Sequence, residues 1–250
     1  MIALLLVAGY ATRLYPLTID TPKPLLPVNG IPMLNYIVDE LETLPELSKI
    51  CLISNHRFYG KFEDWAIDRR KSTACPIEVL DDGTTDDTNK KGAIGDIQFA
   101  IEKLSIEEDI VIIAGDNLFT YRLLDVYHHF LKIDKDLLLA IHIKEKEQLK
   151  RLAVASLDSD GKVLELAEKP AEPKSETAIF ATYFYKKETL PLLKKYLDEG
   201  NSPDAPGNFP AWLYTKKDIY AYLADGICID IGTPESYADV NDNFSSYWNN

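Results

Sequence analysis

Short apolar segments alternate with helix-length segments along most of this chain. Parallel strands need long crossover connections, so this alternation is typical of an α/β fold with right-handed crossovers. Two further strand-like segments, 154–157 and 162–167, flank a polar turn and predict an antiparallel hairpin. We therefore predict an α/β fold with a mixed, mostly parallel sheet and helices on both faces. The other predicted strands are 2–7, 50–54, 77–80, 110–114, 137–143, 179–184 and 219–223, and the predicted helices are 33–43, 59–70, 93–104, 122–132 and 187–197.

Length, charge and cysteine content limit the kind of protein. Of 250 residues, 46% are hydrophobic, which is enough for a substantial core in one domain or at most two, and we predict a single domain over residues 1–250. The formal net charge of -13 argues against nucleic-acid and anionic-membrane partners, because both would repel such a surface. No segment is long enough to span a bilayer, and the three cysteines lack zinc or disulfide spacing. We expect a cytoplasmic protein.

The segment after the first predicted strand has the composition of a polyphosphate site. Small residues let backbone N–H groups approach anionic oxygens closely, and nearby cations add charge that a dry site cannot take from water. An isolated glycine after a strand would more simply make a turn. The combination instead predicts nucleotide binding by Ala8, Gly9, Tyr10, Ala11 and Thr12, with Arg13 and Lys23 as the cations.

Two aspartates follow apolar runs in distant parts of the chain. Asp116 comes after residues 111–115, and Asp230 comes after residues 227–229. Mg²⁺ prefers one or two carboxylates together with water and phosphate oxygens, so a pair of aspartates at neighbouring strand ends would suit it. Each has a simpler explanation, since Asp116 can cap a turn and Asp230 can begin an Asx-turn. Their occurrence together with the opening segment favours metal ligands.

Two other segments are candidates for ligand contacts. Glu168 and Lys169 follow the second hairpin strand, where a carboxylate can accept from vicinal hydroxyls and an ammonium can neutralise a phosphate. A solvated ion pair before Pro170 is the alternative. Gly92 begins a Gly-Ala-Ile-Gly run that predicts a second helix N-terminus facing a nucleotide.

These motifs together resemble the sugar-1-phosphate nucleotidyltransferases, also called nucleoside-diphosphate-sugar pyrophosphorylases. That family opens roughly with Gly-X-Gly-Thr-Arg-Leu, then Pro-Leu-Thr and Pro-Lys-Pro. One departure is Ala11, which stands where the family usually has its second glycine and which would be strained if the turn required φ > 0. The resemblance implies a Rossmann-like, nucleotide-diphospho-sugar transferase-like fold. The matching residues of the opening are Gly9, Thr12, Arg13, Leu14, Pro16, Leu17, Thr18, Pro22, Lys23, Pro24 and Pro27.

The resemblance also implies an activity. It is nucleotidyl transfer from a nucleoside triphosphate to a sugar-1-phosphate, with release of pyrophosphate and with Mg²⁺ as cofactor. UTP or dTTP is favoured, although Asp81 and Asp82 stand where many such enzymes read the pyrimidine with a glutamine. The implied roles are catalysis for Arg13, Lys23 and Lys169, substrate binding for Asn117, Glu168 and Lys169, and metal binding for Asp116 and Asp230.

Other functions stay open. One is a cytidylyltransferase acting on another phosphomonoester such as phosphocholine. Another is a catalytically silent, nucleotide-sugar-binding regulatory relative, against which the full set of charged residues argues. A dinucleotide-binding dehydrogenase is disfavoured because the opening loop lacks Gly-X-Gly-X-X-Gly and carries Arg13. A homodimer is compatible with the sequence.

Overall fold

The computed structural model describes residues 1–248 and shows strands and helices alternating along the chain. The strands are β1 (Ile2–Leu6), β2 (Pro27–Val28), β3 (Ile31–Pro32), β4 (Lys49–Ser54), β5 (Ile77–Asp81), β6 (Ile110–Ala114), β7 (Asn117–Phe119), β8 (Leu137–His142), β9 (Ala153–Leu157), β10 (Val163–Glu168), β11 (Thr177–Tyr185), β12 (Tyr220–Leu223) and β13 (Cys228–Asp230). The helices are α1 (Met33–Leu41), α2 (His56–Arg69), α3 (Ala93–Leu104), α4 (Leu123–Ile133), α5 (Lys146–Leu149), α6 (Leu190–Asp198), α7 (Asn208–Leu213), α8 (Pro234–Asp242) and α9 (Phe244–Trp248).

The predicted elements are confirmed, and the additional strands are short. Helix α3 has the predicted bounds, and β9 and β10 form the predicted antiparallel hairpin. The strands that the sequence did not indicate, β2, β3 and β7, have two or three residues each, which is too short for a hydrophobic period to show. The α/β class with a mixed sheet is therefore confirmed.

The chain folds into two compact units that interleave along the sequence. The first unit contains residues 2–90, 114–124 and those from 226 onward, and the second contains Met1, 91–113 and 125–225. A single domain over residues 1–250 stays a prediction.

In the first unit the main strands are parallel. Strand β1 pairs with β4 and β4 pairs with β5, both in parallel register, whereas β7 and β13 form a separate antiparallel pair. Helix α2 packs on β4 and β5. An apolar cluster joins the segment after β1 to helices α8 and α9, and Trp248 stacks on Phe244 within it at a centroid distance of 4.5 Å. The buried members of that cluster are Leu14, Leu26, Val28, Met33, Leu118, Ile231 and Val240.

In the second unit the sheet is mixed. Strand β11 pairs antiparallel with β6, β8 and β9, and β12 adds to β8 in parallel register. Helix α7 packs on β10, and α6 packs on both α3 and α7. The carboxyl end of β10 therefore lies beside the segment that leads into α7. Across the described part of the chain, no helix is both long and apolar enough to cross a membrane.

Two buried tyrosines of the second unit differ in how their hydroxyls are satisfied. The Tyr185 side chain is fully buried, and its hydroxyl has no hydrogen-bond partner among the described residues. The Tyr196 hydroxyl donates to the Ser202 carbonyl at 2.7 Å. A buried polar group without a partner keeps its desolvation cost, so the two hydroxyls should affect stability in opposite directions.

We expect Tyr185→Phe to stabilise the protein by about 1 kcal/mol, because it removes a buried hydroxyl that lacks a partner. Tyr196→Phe is the matched control and should lower the free energy of unfolding by about 1 kcal/mol, because it removes a satisfied hydroxyl. Urea unfolding of both variants would measure the difference. Equal losses of stability in the two variants would contradict this account.

Candidate active site

The loop after β1 is held by its carbonyl groups. The Asn55 side-chain amide donates to the Ala8 carbonyl at 2.8 Å, and the Ala11 carbonyl accepts from the Thr18 hydroxyl at 2.8 Å and from the Leu14 amide at 3.0 Å. Asn55 is fully buried and also caps α2, since its side-chain oxygen Oδ1 accepts from the Phe58 backbone amide at 2.9 Å. One side chain thus connects this loop to the start of α2.

The amide groups of the same loop are left open. Within the described part of the chain, no backbone N–H from Ala8 to Arg13 donates to a protein acceptor. Consecutive unpaired N–H groups in a turn form a concave site with partial positive charge, which suits phosphate oxygens. The predicted nucleotide-binding residues therefore lie in a loop whose free donors match an anionic ligand.

Ala11 has the left-handed conformation, with φ 46° and ψ 42°. The turn therefore does require φ > 0, which is the condition under which alanine is strained. The Ala11 methyl group is partly buried and packs against the apolar cluster around Leu14. An alanine in place of the family's glycine therefore adds backbone strain to this left-handed turn.

Lys23 and Asp116 are brought together although they lie far apart in sequence. Lys23 Nζ is 2.9 Å from Asp116 Oδ2, and the Lys23 residue is only 5% exposed. Asp116 reaches this position through Gly115, where a Cβ atom would lie 2.4 Å from Val7 Cγ1. Because no larger residue fits against the end of β1, Gly115 allows the chain to bring the carboxylate beside the lysine.

Asp230 lies on a strand next to this pair. It ends β13, and the β13–β7 pairing places it opposite Asn117, the residue after Asp116. The side chain of Asp230 is outside the described part of the structure. The backbone therefore brings the two predicted metal ligands to neighbouring positions. Asp116 lies between β6 and β7, and Asp230 lies at the end of β13, which pairs with β7 outside the main sheet.

The chemistry of these residues fits a hard divalent cation. Mg²⁺ binds proteins through one or two carboxylates and completes its octahedron with water and phosphate oxygens. Among the described residues, no group of three or more His, Cys, Asp and Glu side chains is arranged to hold a metal. A nucleotide-bound Mg²⁺ takes few ligands from the protein, so the predicted pair of aspartates would suit it.

Arg13 lies on the surface of the loop. Its guanidinium forms no ion pair with the described residues, and the residue is exposed. The predicted cation is therefore available to an anionic ligand.

In the second unit, Glu168 and Lys169 lie at the end of β10. The Glu168 side chain is 16% exposed, and its Oε1 is 3.8 Å from Lys169 Nζ. Burial raises the pKa of Glu168, and Lys169 opposes this by favouring the charged form. Lys169 has φ 47°, an uncommon conformation for lysine that costs about 1–3 kcal/mol and is concentrated at functional sites.

Gly92 precedes α3, but that helix start is already occupied. The amides of Ala93 and Ile94 donate to the carbonyls of Asp204 and Pro203, at 3.2 and 2.9 Å. A Cβ at Gly92 would lie 2.6 Å from the Pro203 oxygen, and the residue has φ 78°. A glycine is needed at position 92 because a side chain would clash with Pro203. The amides of Ala93 and Ile94 are already bonded, so fewer N–H groups can bind a phosphate than the sequence suggested. Nucleotide binding by Gly92 stays a prediction.

Two residues outside the predicted set of site residues also contribute to the site region. Asn55 holds the loop after β1, and Gly207 lies against the Glu168 carboxylate. An asparagine between a buried strand and a helix start was a weak signal of a cap. Nothing near Gly207 in sequence indicates its contact with Glu168, because that contact depends on the packing of α7 against β10.

The chain belongs to the nucleotidyl transferase family, whose model matches residues 2–246. The family resemblance of the opening motifs is thereby confirmed. The match includes both units and every residue singled out above.

Relatives of known name differ in the nucleotide that they use. The chain is 26% identical over 254 residues to glucose-1-phosphate adenylyltransferase of Geobacillus stearothermophilus, covering 96% of this chain and 65% of the relative. It is 30% identical over 241 residues to the bifunctional protein GlmU of Methanocaldococcus jannaschii, covering 96% and 53%. It is 27% identical to a putative mannose-1-phosphate guanyltransferase of Sulfolobus acidocaldarius, covering 96% and 62%. The chain thus spans between half and two thirds of these relatives.

Solved structures share the fold. A UDP-glucose pyrophosphorylase complexed with UDP-glucose superposes with a TM-score of 0.80 at 18% identity, covering 98% of both chains. A putative glucose-1-phosphate thymidylyltransferase from Bacillus anthracis superposes with a TM-score of 0.75 at 23% identity, covering 97% of this chain and 94% of that one.

Replacing Ala11 by glycine should stabilise the loop. The left-handed conformation costs alanine about 1–2 kcal/mol, and glycine loses about 0.5–1 kcal/mol through its greater freedom in the unfolded chain. We expect Ala11→Gly to raise the free energy of unfolding by up to about 1 kcal/mol. Ala238→Gly is the matched control, because Ala238 is exposed within α8. This change should lower the free energy of unfolding by about 1 kcal/mol, since glycine is a poor helix former. Destabilisation by both variants in thermal unfolding would contradict the strain at Ala11.

The raised pKa of Glu168 predicts a stability that depends on pH. The folded state holds the proton more tightly than the unfolded chain, so the carboxyl favours folding at low pH and loses this contribution as pH rises through its folded-state pKa. Glu168→Gln stays neutral, and its stability advantage over the wild type should widen from about pH 4, near the ordinary glutamate pKa, toward neutrality. Urea midpoints of both proteins across this range would measure the gap. A gap that narrows with rising pH would reverse the assignment.

Proposed function

We propose that this protein is a Mg²⁺-dependent nucleotidyltransferase that joins a nucleoside triphosphate to a sugar-1-phosphate and releases pyrophosphate. The observation that carries the proposal is the loop from Ala8 to Arg13, whose backbone N–H groups lack protein acceptors. The Lys23–Asp116 pair supports it, because a buried lysine beside a carboxylate combines a phosphate-binding cation with a ligand for a divalent metal.

In the proposed reaction, an oxygen of the sugar phosphate attacks the α-phosphorus in line. A bond forms between that oxygen and phosphorus, and the bond to the bridging oxygen of the pyrophosphate breaks. Such a reaction needs alignment and charge compensation more than a protein nucleophile. The roles of the side chains therefore follow from where their charges lie.

Each cation has a proposed role. The amides of the loop and Arg13 hold the triphosphate and stabilise the leaving pyrophosphate. Lys23 contacts the α-phosphate and the attacking phosphate. Lys169 binds the sugar phosphate, while Glu168 accepts hydrogen bonds from sugar hydroxyls and Asn117 contributes to substrate binding.

Asp116 and Asp230 are the proposed ligands of Mg²⁺. The metal, when bound, supplies charge that offsets the negative charge of the phosphates. Asp116 contributes a carboxylate that Lys23 already orients through the 2.9 Å contact.

The base and the sugar are also proposals. We propose UTP or dTTP as the nucleotide, on the family resemblance of the sequence. The names of the relatives include adenylyl and guanyl transferases, so family membership alone does not select the base. A cytoplasmic location, a lack of nucleic-acid and membrane partners, and assembly as a homodimer stay predictions.

A pyrophosphate-release assay would test the function. We expect release with UTP or dTTP and a hexose-1-phosphate, and loss of release when EDTA removes Mg²⁺. Lys23→Ala should lower turnover by about 10²–10³-fold, as for loss of a preorganised charge contact. Lys71→Ala is the control, because this exposed lysine pairs with Asp68 on the surface and its loss should leave turnover unchanged.

The panel should contain ATP, GTP, CTP, UTP and dTTP against glucose-1-phosphate, N-acetylglucosamine-1-phosphate, mannose-1-phosphate and phosphocholine. Release only with CTP and phosphocholine would identify the cytidylyltransferase alternative. Binding of a nucleotide-sugar without release from any pair would identify a silent regulatory relative. Near-normal turnover of Lys23→Ala would overturn the assignment of that lysine.

A further inference from the structure

The Glu168 carboxylate is held in place without hydrogen bonds from the protein. Among the described residues, no N–H or O–H group donates to it, and its only ionic neighbour is Lys169 at 3.8 Å. A largely buried carboxylate normally accepts several hydrogen bonds. These oxygens are therefore acceptors that remain available to a ligand.

Gly207 creates the space in which this carboxylate lies. A Cβ atom at Gly207 would be 2.0 Å from Glu168 Oε2, 3.0 Å from Glu168 Cδ and 3.2 Å from Ala153 Cβ. The backbone of Gly207 has φ −72° and ψ −12°, which any residue can adopt. Conformation alone does not require a glycine here, and the carboxylate occupies the volume of the missing side chain.

The segment before Gly207 is anchored and resists moving away. The carbonyls of Pro203 and Asp204 accept from the amides of Ile94 and Ala93 at the start of α3, at 2.9 and 3.2 Å. On the other side, the Ala211 amide donates to the Gly207 carbonyl at 3.2 Å as α7 begins. A side chain at position 207 would therefore displace the Glu168 carboxylate before it displaced the backbone.

We propose that Gly207 is a positioning residue for acceptor binding: its missing side chain lets the Glu168 carboxylate face the hydroxyl groups of the sugar-1-phosphate. The inference rests on the proposed function for the identity of that ligand. It adds that position 207, which touches no reacting atom, controls affinity for the acceptor through Glu168. Nucleotide binding and the chemical step should be independent of it.

Steady-state kinetics of a double-mutant cycle tests this. The probe is glucose-1-phosphate with UTP, or the pair with the highest turnover in the assay above. Gly207→Ala should raise KM for the sugar phosphate by about 10–100-fold, as expected for lost hydrogen bonds to a charged acceptor, with KM for the nucleotide and kcat near wild type. In a Glu168→Ala background, Gly207→Ala should cause no further rise, because both changes remove the same interaction.

Gly60→Ala is the matched control, because Gly60 lies within α2 and a Cβ there meets no atom within 4 Å. It should leave both KM values unchanged. Additive effects of Gly207→Ala and Glu168→Ala would overturn the proposal, and so would a rise in the nucleotide KM alone. If Gly207→Ala is too unstable to assay, restored folding in the Gly207→Ala/Glu168→Ala double variant supports the clash, and failure to restore it overturns the proposal.

A crystal structure of Gly207→Ala separates this inference from the proposed function. Displacement of the Glu168 carboxylate would support the positioning role of Gly207, whether or not the wild type is active. A wild type that turns over no substrate pair would count only against the proposed function. A carboxylate that keeps its place beside residue 207 would overturn the inference whatever the activity.

Discussion

The loop after β1 has an asymmetry on which the candidate site depends: three of its carbonyls, those of Ala8, Ala11 and Thr12, accept from protein donors, whereas among the described residues no N–H from Ala8 to Arg13 has a protein acceptor. The Ala8 carbonyl is bonded by Asn55 and the Ala11 carbonyl by Thr18, so the negative ends of these peptide dipoles face protein donors. The positive ends are left facing outward. A chain with net charge -13 thereby keeps, within one loop, N–H dipoles and the exposed Arg13 guanidinium, which act at short range where the global charge matters less.

Backbone strain marks the same regions. Of the non-glycine residues described with positive φ, three are Asn29, Ser105 and Asp134, whose short polar side chains are common in turns. The other two are Ala11 and Lys169, for which this conformation is less usual, and both were singled out from the sequence as ligand-contacting residues. Strain of this kind persists only where surrounding structure enforces it. The strained residues thus lie in the loop after β1 and at the end of β10, the two segments with proposed roles in ligand binding.

Much of the fold could be predicted from the sequence because its main elements are long enough to show their hydrophobic period. Helix α3 was predicted with its observed bounds, whereas β2, β3 and β7, with two or three residues each, could not be distinguished from loop. The proximity of Lys23 and Asp116 was expected only from their motifs. Gly92 was predicted as an open helix start, but the Pro203 and Asp204 carbonyls occupy it. The contacts of Asn55 and Gly207 join segments distant in sequence, and no local pattern encodes such contacts.

The three tryptophans are divided between the two units, which gives each unit its own optical signal. Trp65 and Trp248 belong to the first unit, where Trp65 donates to Asn35 and Trp248 stacks on Phe244. Trp212 belongs to the second unit and donates to Glu199. Fluorescence from variants that retain a single indole would therefore reveal whether the two interleaved halves melt in one cooperative event or in sequence.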